Sequence, residues 1–285
     1  MPNAVIVDVV RTPGGRRNGV LSGWHPADLA AEALKALQER NGLYPAIVDD
    51  VIVGCVVQVG AQALNVGRNA VLAAGWPDTV PATTIDRQCG SSQQAYTFAA
   101  QGVMAGAYDV VVAAGVEEMS LVPMGASVSK GVGFPFTEGM NERYAEQGGL
   151  VPQGISAEMI ADQWGLSRED LDAFGARSQQ FAERARDEGR FDNEIIPVQG
   201  RRRDKETGDV AIEDAPVTAD EGIRPGTTAE GLAKLPGFGH ADLETMVGLI
   251  EEYGRFCATE IGTLNRGGDQ VGSKQSHVLG VRLPH

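Results

Sequence analysis

The chain is poor in cysteine: Cys55, Cys89 and Cys257 are its only three in 285 residues. They form no C-x-x-C pair, so neither a disulfide framework nor a thiolate metal site is expected. Positive charge is also in deficit. Lys and Arg number 24 against 38 Asp and Glu, a formal charge of −14, and no basic surface clusters in the sequence. This argues against nucleic acid or an anionic membrane as principal partner. No apolar run reaches membrane-spanning length, and the opening Met1-Pro2-Asn3-Ala4-Val5-Ile6-Val7 lacks the basic-then-apolar order of a signal peptide. The sequence therefore reads as cytoplasmic. Nothing in it suggests a metal, nicotinamide or nucleoside triphosphate site.

What is present is ordinary globular composition, 42% hydrophobic and 22% charged, in a chain long enough for one large domain or two smaller ones. Ala4 to Val10 reads as a buried strand and Ala27 to Glu39 as a helix. Val51 to Val59 reads as a strand, Asn65 to Ala74 as a helix, Thr79 to Ile85 as extended and Tyr108 to Gly115 as another buried strand. The alternation predicts an α/β layer fold with a largely buried sheet. After Met119, a run of Pro and Gly marks a different structural unit. Helices are expected over 156–163 and 167–187, the second with Ser167 as N-cap before Glu169 and Asp170. Short strands are expected at 195–198 and 210–212. The basic run Arg201-Arg202-Arg203-Asp204-Lys205 reads as a solvated turn.

Cys89 carries the chemistry. It sits in Ile85-Asp86-Arg87-Gln88-Cys89-Gly90-Ser91-Ser92, where a β-rich run meets the helix expected from Ser92 to Ala105. Unpaired N–H groups at a helix start favour a thiolate, the reactive form of cysteine. Gly90 leaves room beside the sulfur for a thioester, and the polar flanks Arg87, Gln88, Ser91 and Ser92 distinguish Cys89 from a cysteine used as a small core hydrophobe. Cys55 and Cys257 read as core residues.

These residues carry a resemblance. Val10-Arg11-Thr12-Pro13, Arg87-Gln88-Cys89-Gly90-Ser91-Ser92-Gln93-Gln94-Ala95, Ala114-Gly115-Val116-Glu117-Glu118-Met119-Ser120, Gly154-Ile155-Ser156-Ala157-Glu158, Asp172 to Gln180 and Asp220 to Glu230 follow one another as in the thiolase family of acetyl-CoA acyltransferases. Residues 1 to about 235 resemble that family. The resemblance implies an α/β fold of two βαβαβαββ halves with a loop domain inserted after the first. It places the nucleophile half at 1–118, the loop domain on the coenzyme A side at 119–235 and a tail at 236–285. It implies Cys89 as nucleophile, Arg224 near the adenine end of coenzyme A, no cofactor beyond the coenzyme A thioester that is the substrate, and a homo-oligomer or a β-oxidation partner protein.

The family's Gly-x-His-Pro, Cys-x-Gly and Asn-Glu-Ala-Phe-like segments do not occur in the sequence. No base or second thiol is assigned, and the family's second half is expected to be missing. One oxyanion donor is worth roughly 10²–10³ in rate and a general base roughly 10²–10⁴, so full turnover by these residues alone is not expected. Pro152-Gln153 replaces a His-Met pair common in relatives, which alters the contacts expected at the pantetheine end. Asp242 to Asp269 resembles instead the early helical region of acyl-CoA dehydrogenases, without that family's flavin region, so a helical tail without FAD is expected. The leading reading is an incomplete thiolase-type acyltransferase of fatty-acid or related acyl-CoA degradation. A non-catalytic acyl-CoA-binding or interaction protein and a truncated product are the alternatives the same residues allow.

Overall fold

Asp-Val-Ile-Val-Gly and Val-Val-Val-Ala-Ala-Gly are short runs rich in β-branched residues, as strands covered on both faces require. In the computed structural model, which describes residues 3–128, 133–147, 149–151, 153–235 and 277–282, they lie side by side within a five-stranded sheet. The elements in chain order are β1 (Val5–Arg11), α1 (Pro26–Asn41), β2 (Asp50–Gly54), α2 (Val66–Ala73), β3 (Ala82–Ile85), α3 (Ser91–Ala105) and β4 (Val110–Gly115). There follow α4 (Glu138–Tyr144), α5 (Gln153–Trp164), α6 (Arg168–Asp187), β5 (Val198–Arg203), β6 (Val210–Val217), α7 (Ala229–Leu232) and β7 (His277–Arg282). The sheet order is β1-β7-β4-β2-β3. Strand β2 is parallel to β3 and β4, and β7 runs antiparallel between β1 and β4.

Two compact units partition the chain. The first comprises Met1–Ser127, Phe191–Gly222 and Gln270–His285, the second Val128–Arg190 and Ile223–Asp269. In the first, strand alternation assigns side chains to two faces. Val51, Val53, Val112 and Ala114 join Leu29, Ala33, Leu34 and Leu37 of α1 and Val66, Ala70 and Val71 of α2 in one buried cluster. Ile52, Val111 and Ala113 join Ala95, Ala99 and Val103 of α3 in the other. The start of α1 is set by His25, whose Nδ1 accepts the Ala27 N–H at 3.3 Å, and by Pro26 in its first turn; Gly42 ends it at φ 56°, a conformation that favours glycine.

The mixed α/β architecture matches the sequence reading, but the strand expected over 51–59 stops at Gly54, the one expected over 195–198 begins only at Val198, and three larger differences remain. Strand β1 is buried only in its second half: Val10 is buried, but Val5, Ile6 and Val7 are exposed because β1 is the sheet's edge. The run Arg201–Arg203 is not a solvated turn. It lies on β5, paired with β6, and the Arg201 guanidinium stacks on the Trp24 ring at 3.6 Å, so a long basic side chain serves as a packing surface. The helix expected in the tail, with Cys257, lies outside the described residues, whereas His277–Arg282 is a strand that the sequence did not announce.

Arg11, at the end of β1, is 2% exposed. It donates twice to Asp220, at 2.6 and 2.9 Å, and once to Glu194 at 2.6 Å. Burial lowers its proton affinity, but the two carboxylates outweigh that and raise it. In the second unit, Ser167 caps α6 as expected: its hydroxyl accepts the Asp170 N–H, and its own N–H donates back to Asp170. Among the described residues no helix is long and apolar enough to cross a membrane.

Candidate active site

Strand β3 ends at Ile85 and α3 begins at Ser91, with Gly90 as N-cap, so Cys89 occupies the turn immediately before the helix. The turn is tight. Gln88 adopts φ 45°, unusual for a residue with a side chain. Asp86 Oδ1 accepts the Gln88 N–H at 2.7 Å, and Gly90 N–H donates to the Arg87 carbonyl at 3.0 Å. Asp86, Arg87, Gln88 and Cys89 are all exposed, while Ser91 is buried. The sulfur therefore stands free beside the positive end of a helix of 15 residues.

Two glycines set how closely that helix end approaches the sheet. A Cβ on Gly54 would lie 2.3 Å from the Ser92 nitrogen, and one on Gly115 would lie 2.4 Å from the Ser92 Cβ. These glycines end the parallel strands β2 and β4, so the first turn of α3 rests on bare backbone. Along α3 the residues facing the sheet, Ser91, Ala95, Ala99 and Val103, recur every fourth position and are mostly small. That spacing keeps them on one face of the helix.

Behind Cys89, a small cleft is lined by Cys55, Val56, Val116 and Glu117. Glu117 is buried and accepts N–H bonds from Val56 at 2.7 Å and Val57 at 3.1 Å, and from Gln62 Nε2 at 3.0 Å. Gln62, fully buried, also donates to the Val57 carbonyl at 2.8 Å and accepts the Glu118 N–H at 2.7 Å. The loop after β2 is thus tied to the loop after β4. Burial raises the Glu118 carboxyl above its ordinary value, against hydrogen bonds from Ser120. Burial, with the charge of Glu117, pushes the Cys55 thiol up to about 12. Cys55 is a core thiol, as its sequence context suggested, and is unreactive at neutral pH.

Arg224, the other residue singled out in the sequence, is exposed and lies in the second unit. Its N–H donates to Gln179 Oε1 of α6 at 2.8 Å and its carbonyl accepts the Thr227 hydroxyl at 2.7 Å. Gln153 opens α5; Pro152 before it lies outside the described residues. The one histidine whose side chain is described, His25, caps α1, and among the described residues no cluster of His, Cys, Asp and Glu could hold a metal ion. The sequence reading did not single out Gln62 and Gly54, and it quoted Gly115 and Glu117 only within the Ala114–Ser120 motif, without a role. The signals were that motif and the fact that Gly54-Cys55 and Gly115-Val116 both end apolar strands.

Residues 4–243 match the family model described as the thiolase N-terminal domain. The chain is 40% identical over 279 residues to the steroid 3-ketoacyl-CoA thiolase FadA6 of Mycobacterium tuberculosis, covering 95% of this chain and 61% of that protein. It is 44% identical over 237 residues to a 3-ketoacyl-CoA thiolase of Pseudoalteromonas translucida, covering 82% of this chain and 57% of the relative. To a 3-ketoacyl-CoA thiolase of Bacillus subtilis it is 41% identical, with 82% and 59% covered. The chain thus spans about six tenths of the length of these relatives.

Proposed function

Because the chain belongs to the thiolase family, we propose that it is the nucleophile-bearing part of an acyltransferase acting on acyl-CoA or 3-ketoacyl-CoA. The observation that carries this reading is the exposed Cys89 thiol on a strained strand-to-helix turn. With a 3-ketoacyl-CoA the Cys89 thiolate attacks the 3-keto carbon, the C2–C3 bond breaks as that carbonyl re-forms, and acetyl-CoA leaves as an enolate that takes a proton. With an acyl-CoA the Cys89 thiolate attacks the thioester carbon. The carbonyl π electrons move to oxygen, the C–S bond to coenzyme A breaks as the carbonyl re-forms, and coenzyme A leaves as a thiolate that takes a proton. The acyl group remains on Cys89. The N–H groups at the helix N-terminus favour the oxyanion that forms during attack.

Transfer of the acyl group onward, by condensation or in thiolytic cleavage, needs a base and a second thiol. The sequence holds neither family motif for them, so turnover draws on groups outside these 285 residues. Fatty-acid β-oxidation is the proposed setting, in the cytoplasm and in an oligomer. Arg224 is proposed as a contact for the nucleotide end of coenzyme A, on the strength of its motif and its exposure on a turn anchored to α6.

Intact-mass spectrometry after incubation with acetyl-CoA, and separately with a 3-ketoacyl-CoA, tests the proposal. An acyl adduct that disappears in Cys89→Ser is expected. Arg224→Ala should raise the acetyl-CoA concentration for half-maximal acylation and leave the maximal rate alone. A folded chain that takes no acyl group overturns the acyltransferase reading and favours acyl-CoA binding without chemistry.

A further inference from the structure

Ser91 is the first residue of α3 and its side chain turns back over the nucleophile turn rather than along the helix. Its hydroxyl donates to the Gln88 carbonyl at 2.6 Å and accepts the Arg87 N–H at 2.9 Å. The Gln88 carbonyl is also held by the Ser91 N–H at 3.0 Å. A serine hydroxyl has one proton to give, and the distance of 3.5 Å to Asp86 Oδ1 is too long to compete for it. One buried oxygen, on a residue 4% exposed, therefore bonds the two residues that precede Cys89 in the chain. The residue between those bonds and Cys89 is Gln88, held at φ 45° with its own N–H fixed by Asp86 at 2.7 Å. A left-handed non-glycine residue persists only where its surroundings over-determine it. Here the surroundings are Ser91 and Asp86.

We infer that Ser91 is a positioning residue for acyl transfer, holding the Cys89 turn in the conformation that aims the sulfur at a bound thioester, with Asp86 as its assistant at Gln88. The inference rests on the reading of Cys89 as the nucleophile. It makes a claim that a structural hydroxyl would not: the bonds matter for attack on an oriented substrate, not for the exposure or intrinsic reactivity of the thiol. Misplacing a reacting atom by about 1 Å costs up to roughly a hundredfold in rate, while a small, freely tumbling electrophile finds the sulfur from any direction.

The test uses the full chain and two probes, acetyl-CoA and iodoacetamide, with Cys89 modification followed by mass spectrometry. For Ser91→Ala the expected result is a maximal acylation rate lower by roughly ten- to a hundredfold. The half-saturating acetyl-CoA concentration and the rate and pH profile of iodoacetamide alkylation should be unchanged. Ser91→Thr, which restores the hydroxyl, should recover the acylation rate. Asp86→Ala should slow acylation in the same way and Asp86→Asn, which keeps the acceptor for the Gln88 N–H, should not. These exposed-site variants decide the matter should Ser91→Ala fail to fold. Equal acylation by wild type, Ser91→Ala and Asp86→Ala overturns the inference, as does a parallel fall of acylation and alkylation. A wild-type chain that takes no acyl group at all fails earlier and differently, by removing the acyl-transfer reading on which the inference stands.

Discussion

The two faces of the five-stranded sheet are built from different materials. The face under α1 and α2 is packed with Leu29, Leu34, Leu37, Val66 and Val71, and with Trp24 and Trp76 at its margins. The face under α3 is lined by Ala95, Ala99, Ala113 and Val103, and its strand ends are the bare glycines 54 and 115. Large side chains bury area, which is where stability comes from at about 25 cal/mol per Å². Small ones let backbones approach, which is where geometry comes from. The two cysteines follow the same division: Cys55 belongs to the large-residue cluster and is buried, and Cys89 stands exposed at the end of the small-residue helix. The first face holds the sheet together, and the second holds the Cys89 turn against it.

Alkaline titration gives the largest contrast between the faces. Cys55 has a folded-state value of about 12 against an ordinary thiol value of 9.0, so the native chain keeps this proton after the unfolded chain has released it. Its contribution is fully present below about pH 9 and is lost as pH rises through about 12, a loss on the order of 4 kcal/mol. Urea unfolding from about pH 8 upward should show that decline, with a shallower slope in Cys55→Ala. Alkylation at about pH 8 should meanwhile modify Cys89 and spare Cys55. Next in size is Leu34→Ala, at a fully buried position of α1, which should cost about 3 kcal/mol by transfer and cavity terms together. Acylation of Cys89 in the chain that remains folded should be unaffected.

Gly115→Ala should invert that pattern. Its Cβ would meet the Ser92 Cβ at 2.4 Å, so the first turn of α3 must move away from β4. The stability cost is about 1–2 kcal/mol, typical of overpacking, and smaller than that of Leu34→Ala. The acylation rate should nonetheless fall by roughly tenfold or more. Equal rates for Gly115→Ala and wild type would break the distinction between a face for stability and a face for geometry.

That distinction was half legible in the sequence. The strand at 110–115, the start but not the end of the strand at 50–54, helices α1, α3 and α6, the Ser167 cap and the strand-to-helix placement of Cys89 follow from local pattern, because each depends on neighbours within a few positions. The tie between Gln62 and Glu117 did not, since it joins residues 55 apart and nothing local to either points to the other. The stack of Arg201 on Trp24 spans a still longer separation, and the run of three arginines reads locally as a solvated turn. The exposed first half of β1 was hidden for the opposite reason: Val5, Ile6 and Val7 have the composition of a buried strand, and only the sheet order makes β1 an edge. Local pattern therefore places Cys89 on its turn together with the Ser91 and Asp86 side chains that bond it, and long-range contacts of Gly54 and Gly115 with Ser92 set how that turn meets the sheet.

Gln88 gives the smallest effect on stability and the sharpest test of how the Cys89 turn is held. Its left-handed φ costs on the order of 1 kcal/mol, which glycine would not incur. Glycine also frees the unfolded chain, at a cost of about 0.5–1 kcal/mol, so the two terms nearly cancel. Gln88→Gly should change the unfolding midpoint by an amount equivalent to less than about 0.5 kcal/mol. Gln88→Val, which keeps the side-chain penalty and adds branching at Cβ, should destabilise by more than about 1 kcal/mol. The acylation rate should not follow stability in the glycine variant. A glycine at 88 widens the range of conformations open to the turn despite the bonds from Ser91 and Asp86, so the fraction of time the sulfur is aimed falls and the rate drops a few-fold at unchanged stability. A Gln88→Gly chain acylated as fast as wild type would show that the hydrogen bonds alone fix the turn, and that the strain at Gln88 is incidental to the chemistry.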